Sequence, residues 1–237
     1  MIEPASPFYS DIGRSLHTIS PAENAVDQSQ PFTPPGLTVV FRIPSGARTA
    51  LGSVLEIIEK SRNTFRRSVW PHVTIQAVLG RNEIPLSPSD HEVVLRSSDR
   101  ILRELAPRLE PVPVSFGTIR PGIDPRDPST GNGTMIWLAE GEGSDRLQSF
   151  GNSLRERLQE VLPVGLRGLS LQKVKPVWIT LGYFDETGQF DIDERLQTAL
   201  HRLHHTSLAV EVDRLELSEF TFKLLAEGRA LSVVPLG

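Results

Sequence analysis

The residues best suited to chemistry sit in two short, similar segments, Pro71-His72-Val73-Thr74-Ile75-Gln76 and Val177-Trp178-Ile179-Thr180-Leu181-Gly182-Tyr183. An imidazole moves protons near neutral pH, and a threonine hydroxyl donates a hydrogen bond well matched to an anionic oxygen. Both segments alternate polar and apolar residues with the period of a strand, where residues two apart share a face. On strict alternation His72, Thr74 and Gln76 project together while Val73, Ile75 and Ala77 point to a core. Trp178, Thr180 and Gly182 likewise share a face opposite Ile179 and Leu181. His72 and Trp178 are 106 positions apart. An approximate two-fold axis relating the two halves of the chain would set His72 and Thr74 opposite Trp178 and Thr180 across one groove.

Elements to position these strands are legible on either side. Leu37, Val39, Phe41 and Ile43 alternate along a strand at 37–43, and a helix over about 47–62 carries the stripe Leu51, Val54, Leu55, Ile58. The motif strand 72–79 follows, then a helix over about 89–105 closed by Pro107. Strands at 112–119 and 135–139 flank a loop of Pro, Asp, Gly and Asn. In the second half a helix over about 145–161 presents Leu147, Phe150, Leu154 and Leu158. Then come the second motif strand 177–184, a helix over about 192–204 and closing strands at 209–222 and 230–234. Helices alternating with hairpins favour an α+β fold with two pseudo-symmetric lobes of antiparallel sheet, flanked by helices, around a central groove. They disfavour a parallel sheet with regular crossover helices. Residues 1–35, rich in Pro, Ser, Asp and Asn, are expected to form an N-terminal arm with little regular structure. Residues 36–237 are expected to make one two-lobed domain.

These paired strands, in this order of elements, resemble the 2H phosphoesterase superfamily, which includes the RNA 2′-5′ ligase-like and cyclic phosphodiesterase proteins and carries two His-x-Thr/Ser-x motifs on symmetry-related strands. The resemblance spans about residues 36–237. It is nearest to a branch whose second motif reads approximately His-Ile-Thr-Leu-(Ala/Gly)-Tyr, here Trp178-Ile179-Thr180-Leu181-Gly182-Tyr183. Tyr9-Ser10-Asp11-Ile12-Gly13, Pro31-Phe32 and Pro35-Gly36-Leu37-Thr38-Val39-Val40 are similar to that branch as well. The resemblance implies a metal-independent hydrolase without a cofactor, acting on a small, nucleotide-like phosphorylated or cyclic-phosphate substrate. It gives His72 a proton-transfer role, with Thr74 and Thr180 holding phosphoryl oxygens. Trp178, Tyr183 and Gln76 are expected to line the substrate.

Trp178 departs from that pattern, because an indole offers one N–H donor and no group that titrates near neutral pH. Losing one acid or base costs about 10²- to 10⁴-fold in rate. Three readings follow. Phosphoester chemistry persists with His72 as sole proton carrier, helped by Tyr183, a water or the leaving group. Alternatively the groove has been repurposed for proton transfer, isomerisation or cyclisation of another small molecule. Or it only binds, stacking a flat ring on Trp178.

A net charge of −4 disfavours a protein that grips long nucleic acid through a broad basic face. With no cysteine there is neither a disulfide nor a thiolate nucleophile. The first residues show no basic start followed by an apolar run, so no signal peptide or membrane anchor is expected, and the cytoplasm is the default location. Secondary candidates have plainer readings beside the functional ones. His201, His204 and His205 share a helix side as metal ligands sometimes do, but more readily face solvent at a helix C-terminus. Ser129-Thr130-Gly131-Asn132-Gly133 reads as a hairpin turn before an anion nest. Arg66, Arg67, Lys173 and Lys175 either ring the groove mouth or are solvated loop charges. His17, in the arm, would need to fold back to replace the missing histidine.

Overall fold

The computed structural model describes residues 35–68, 71–79, 86–124, 127–167, 177–184, 192–220 and 229–237, with the backbone alone at 123, 124 and 127–133. The expected arm, His17, Lys173 and Lys175 lie outside the described residues. In chain order the elements are β1 (Gly36–Arg42), α1 (Arg48–Ser61), β2 (Phe65–Arg67), β3 (His72–Leu79), α2 (Pro88–Leu105), β4 (Val112–Asp124), β5 (Asp127–Glu140), α3 (Gly141–Val161), β6 (Trp178–Phe184), α4 (Glu194–Leu203), β7 (Leu208–Val212), β8 (Arg214–Phe220) and β9 (Arg229–Pro235).

The helices form where apolar spacing and caps agree. Leu51, Val54, Leu55 and Ile58 of α1 are all buried, as a stripe at i, i+3, i+4 and i+7 demands. Ser87 caps α2 by accepting from the Asp90 backbone N–H at 3.1 Å, with Pro88 in the first turn where its missing donor costs nothing. Asp193 caps α4 in the same way through the Leu196 N–H at 2.8 Å. At the start of α3, Gly141 takes φ +74°, a left-handed conformation that side chains resist.

All strand pairings are antiparallel, and the main path runs β7-β4-β5-β6-β3-β1-β8-β9, with β2 added on β6. The sheet is curled and its helices cover one side, an α+β architecture. The core fills the space between sheet and helices, where Val39, Phe41, Val73, Ile75, Met135, Trp137, Ile179 and Leu181 meet the helix stripes. Fully burying a side chain of this size is worth roughly 1.5–3 kcal/mol, so the core fixes which face of each strand turns inward. The strands form one continuous sheet, whose path runs through β7-β4-β5-β6 and then β3-β1-β8-β9, with β6 meeting β3 at the middle.

Two expectations are corrected and one element is added. The loop between the hairpin strands is much shorter, because β4 and β5 keep pairing out to Asp124↔Asp127; Ser129–Gly133 is therefore strand backbone, not a turn or nest. The closing strand expected at 209–222 breaks at Asp213 into β7, which pairs with β4, and β8, which pairs with β1 in the other half. A one-residue break leaves the alternation nearly undisturbed, so periodicity does not reveal it. Strand β2 spans three residues, too few to show a period. No described helix is long and apolar enough to cross a membrane.

Candidate functional site

The two motif strands are neighbours at the middle of the sheet. Val73 and Ile179 are partners in the antiparallel pairing of the two strands, which puts the backbones of His72 and Thr180 on one side of that pair and those of Thr74 and Trp178 on the other. Val73 and Ile179 point into the core, which turns His72, Thr74, Trp178 and Thr180 to the side away from the helices. His72 is buried at 9% exposure, Thr74 is exposed, and Trp178 and Thr180 are half-buried. The Trp178 indole N–H donates to the Thr180 Oγ1 at 3.3 Å.

Beyond the motif threonines, strict alternation fails in both strands and in the same way. Val40 pairs with Thr74, but the next residue of β1, Val39, pairs with Gln76, leaving Ile75 as the extra residue of a bulge. Ile136 pairs with Thr180, but Met135 pairs with Gly182, leaving Leu181 extra. A bulge reverses which face later residues occupy. Gln76, expected in the groove, is accordingly turned with Val39 toward the core: it is 2% exposed, and its Nε2 donates to the Ala77 carbonyl at 2.7 Å. Ala77 takes the groove-side position, paired with Thr38. In β6 it is Gly182 that turns inward, where an added Cβ would lie 2.5 Å from the Phe65 ring and 2.3 Å from the Arg66 carbonyl oxygen. Tyr183 thereby joins the face of Trp178 and Thr180. Burial pushes its phenol up to about 12, so it stays a neutral donor throughout the ordinary pH range.

The flanking strands complete the floor. Arg42 pairs with His72 and Val40 with Thr74, while Leu138 pairs with Trp178 and Ile136 with Thr180. Leu138 is thus the two-fold counterpart of Arg42, and Ile136 of Val40, each 96 positions on. Arg42 is ion-paired through its Nε to Glu216 of β8, itself next to Val40 in the β1–β8 ladder. On the other side Ile136 and Leu138 are buried in a cluster separate from the main core, with Trp178 packed against them. Sequence reasoning missed these four residues as site components. The signals were available: Arg42 falls at the non-core parity of β1, and Met135 to Ala139 holds no polar residue, as a strand covered on both faces requires.

The remaining candidates fall elsewhere. Arg66 lies opposite Tyr183 at the margin of the site, hydrogen-bonded to the Asn63 carbonyl at 2.9 Å. Arg67 is tied to Glu59 of α1. His201, His204 and His205 are exposed near the end of α4, with the last two rings 5.0 Å apart. Among the described residues no group of three or more His, Cys, Asp or Glu could hold a metal ion.

No protein-family model matches the chain, and no curated protein does. Solved structures do. TT0787 of Thermus thermophilus superposes with a TM-score of 0.55 at 18% identity, covering 85% of this chain and 97% of that one. The fold is that of the 2H phosphoesterases. Usb1 of Kluyveromyces marxianus is also similar, with a TM-score of 0.48 at 15% identity over 89% of this chain and 100% of its own. So is LigT of E. coli in its apo form, at 0.46 and 15% over 88% and 99%. Within this 2H phosphoesterase fold one central strand carries His72-x-Thr74 and the other Trp178-x-Thr180.

Proposed function

We propose that this groove acts on a small phosphorylated or cyclic-phosphate, nucleotide-like substrate, with His72 as the remaining acid/base and Thr74 and Thr180 holding the phosphoryl oxygens. The observation that supports the reading is the antiparallel pairing of Val73 with Ile179, which sets the His72 and Thr180 positions side by side on the face away from the helices. A proton carrier and a hydroxyl donor then flank one position a phosphorus atom can occupy. For a cyclic phosphodiester, His72 takes the proton of the attacking water as the new P–O bond forms. The ring P–O bond breaks, and the leaving oxygen is protonated by solvent or by the imidazolium once it has turned. Trp178 takes the flat portion of the ligand and Tyr183 adds a neutral O–H donor at the edge. This work requires no metal and no long nucleic acid.

The cluster of Ile136, Leu138 and Trp178 favours one alternative. Half the floor is built to hold an apolar ring, as in a repurposed enzyme or a binding protein where stacking, worth about 1–3 kcal/mol per base, supplies the affinity. Turnover and binding of 2′,3′-cyclic nucleotides and short 2′-5′-linked oligonucleotides by wild type, His72→Ala and Trp178→His separate these. Wild-type turnover lost in His72→Ala supports hydrolysis. Binding without turnover in wild type, with turnover gained in Trp178→His, assigns the groove to binding or to other chemistry.

A further inference from the structure

We propose that Trp178 is a positioning residue for Thr180, holding that threonine's hydroxyl as a donor to the anionic part of the ligand. The inference deepens the phosphorylated-ligand reading and rests on it. The two residues are one step of alternation apart on β6, roughly 7 Å along the strand. Ile179, between them, belongs to the core, so both side chains leave on the opposite face. The indole is long enough to cover the distance, and its N–H donates to the Thr180 Oγ1 at 3.3 Å. That bond decides how the hydroxyl is used. A threonine oxygen accepts through its lone pairs and donates through one proton. With an N–H aimed at the oxygen, the proton has to point away from the indole. Among the described residues Thr180 makes no other side-chain hydrogen bond, so no described carbonyl or carboxylate already takes this proton.

The ring that carries the N–H is itself held. Ile136 and Leu138 are 0% and 5% exposed, and Trp178 packs against their cluster. They are the ladder partners of Thr180 and Trp178, so the apolar wall runs alongside the bond it steadies. An indole has only two side-chain torsions to fix, and threonine, being β-branched, is stiff at χ1. The ligand therefore meets a hydroxyl that is already oriented. An oxygen that accepts one hydrogen bond also donates the next more strongly. The wall fixes the indole, and the indole fixes the donor.

Calorimetric titration of a nucleoside 3′-monophosphate and of the parent nucleoside tests this without requiring turnover, because the ratio of the two affinities isolates the phosphate. In wild type the monophosphate is expected to bind at least about 10-fold more tightly, as hydrogen bonds to a charged group warrant. Trp178→Phe keeps an aromatic ring beside Ile136 and Leu138 but lacks the N–H, and should lower the ratio about 2- to 10-fold. In a Thr180→Val background the same change should leave the ratio where it stands, since the hydroxyl it acts through is gone. A substitution that merely loosened the groove would lower the ratio in both backgrounds. A second measurement uses the unaltered protein. On titration with inorganic phosphate the Trp178 indole N–H resonance should shift, while that of Trp137, enclosed in the core at 0% exposure, stays in place. Three results would each overturn the inference and leave the phosphorylated-ligand reading standing: an unchanged ratio in a folded Trp178→Phe protein, equal losses in both backgrounds, or phosphate binding that leaves the Trp178 resonance unmoved. A wild-type ratio of one would overturn both.

Discussion

The two halves of the groove floor have the same backbone and opposite chemistry. Both place a motif strand beside a flanking strand, both insert a bulge directly after the motif threonine, and both keep that threonine. In the β3 half the floor reads Arg42, Val40, His72 and Thr74, backed by Glu216. In the β6 half it reads Leu138, Ile136, Trp178 and Thr180, with Tyr183 alongside. The imidazole and the ion pair thus stand in one half, and the apolar side chains in the other. A two-fold scaffold fixes where side chains stand without fixing what they do. The tryptophan does not stand alone, because the strand beside it supplies the buried apolar side chains of Ile136 and Leu138.

Substitutions that cross from one half to the other are the sharpest probes of this comparison. His72→Ala should lower turnover of a cyclic nucleotide by about 10²- to 10⁴-fold, the usual yield of one acid or base, in an assay of initial rates. Trp178→His supplies a second proton carrier and should raise the rate by about 10²-fold or more. A fall would instead show that the apolar half is itself needed for turnover. Gly182→Ala places a methyl group against backbone and an aromatic ring at the bulge, and thermal denaturation should show a loss of about 1–3 kcal/mol. Thr180→Val removes the acceptor of the Trp178 indole and should weaken phosphate-bearing ligands by roughly 5- to 30-fold, more than it weakens the unphosphorylated parent.

The smallest effect should come from Tyr183. Its phenol is raised to about 12 in the folded protein, against about 10 in an unfolded chain, so between those values the unfolded state releases the proton and the native state keeps it. Stability due to this group is full below pH 10 and declines as pH climbs toward 12. Tyr183→Phe should flatten that decline in alkaline denaturation curves, and equal slopes in both proteins would contradict it.

The sequence made legible whatever depends on neighbours along the chain. The motif strand His72–Leu79 has the expected bounds, and the stripes of α1 and α3 are buried as their spacing requires. Thr74 and Thr180 stand on the expected faces because they precede the bulges. Gln76 and Gly182 do not, because a bulge is a mismatch in residue count between two paired strands, and its cause lies in β1 and β5. Arg42 and Glu216 escaped notice for a related reason. They are 174 positions apart, and only the β1–β8 ladder brings them together.

The break at Asp213 has a geometric consequence. Along the main path β7 and β8 are six strand steps apart, roughly 29 Å if the sheet were flat. Yet a single residue joins Val212 to Arg214, and two virtual bonds of the chain reach no more than about 7.6 Å. The sheet has no choice but to bend until its far strands almost meet, so this short tether sets the circumference on which the floor is drawn. Asp213 acts on the groove from a distance: lengthening the link by a few glycines would relax the curvature and let the cationic and aromatic walls swing apart.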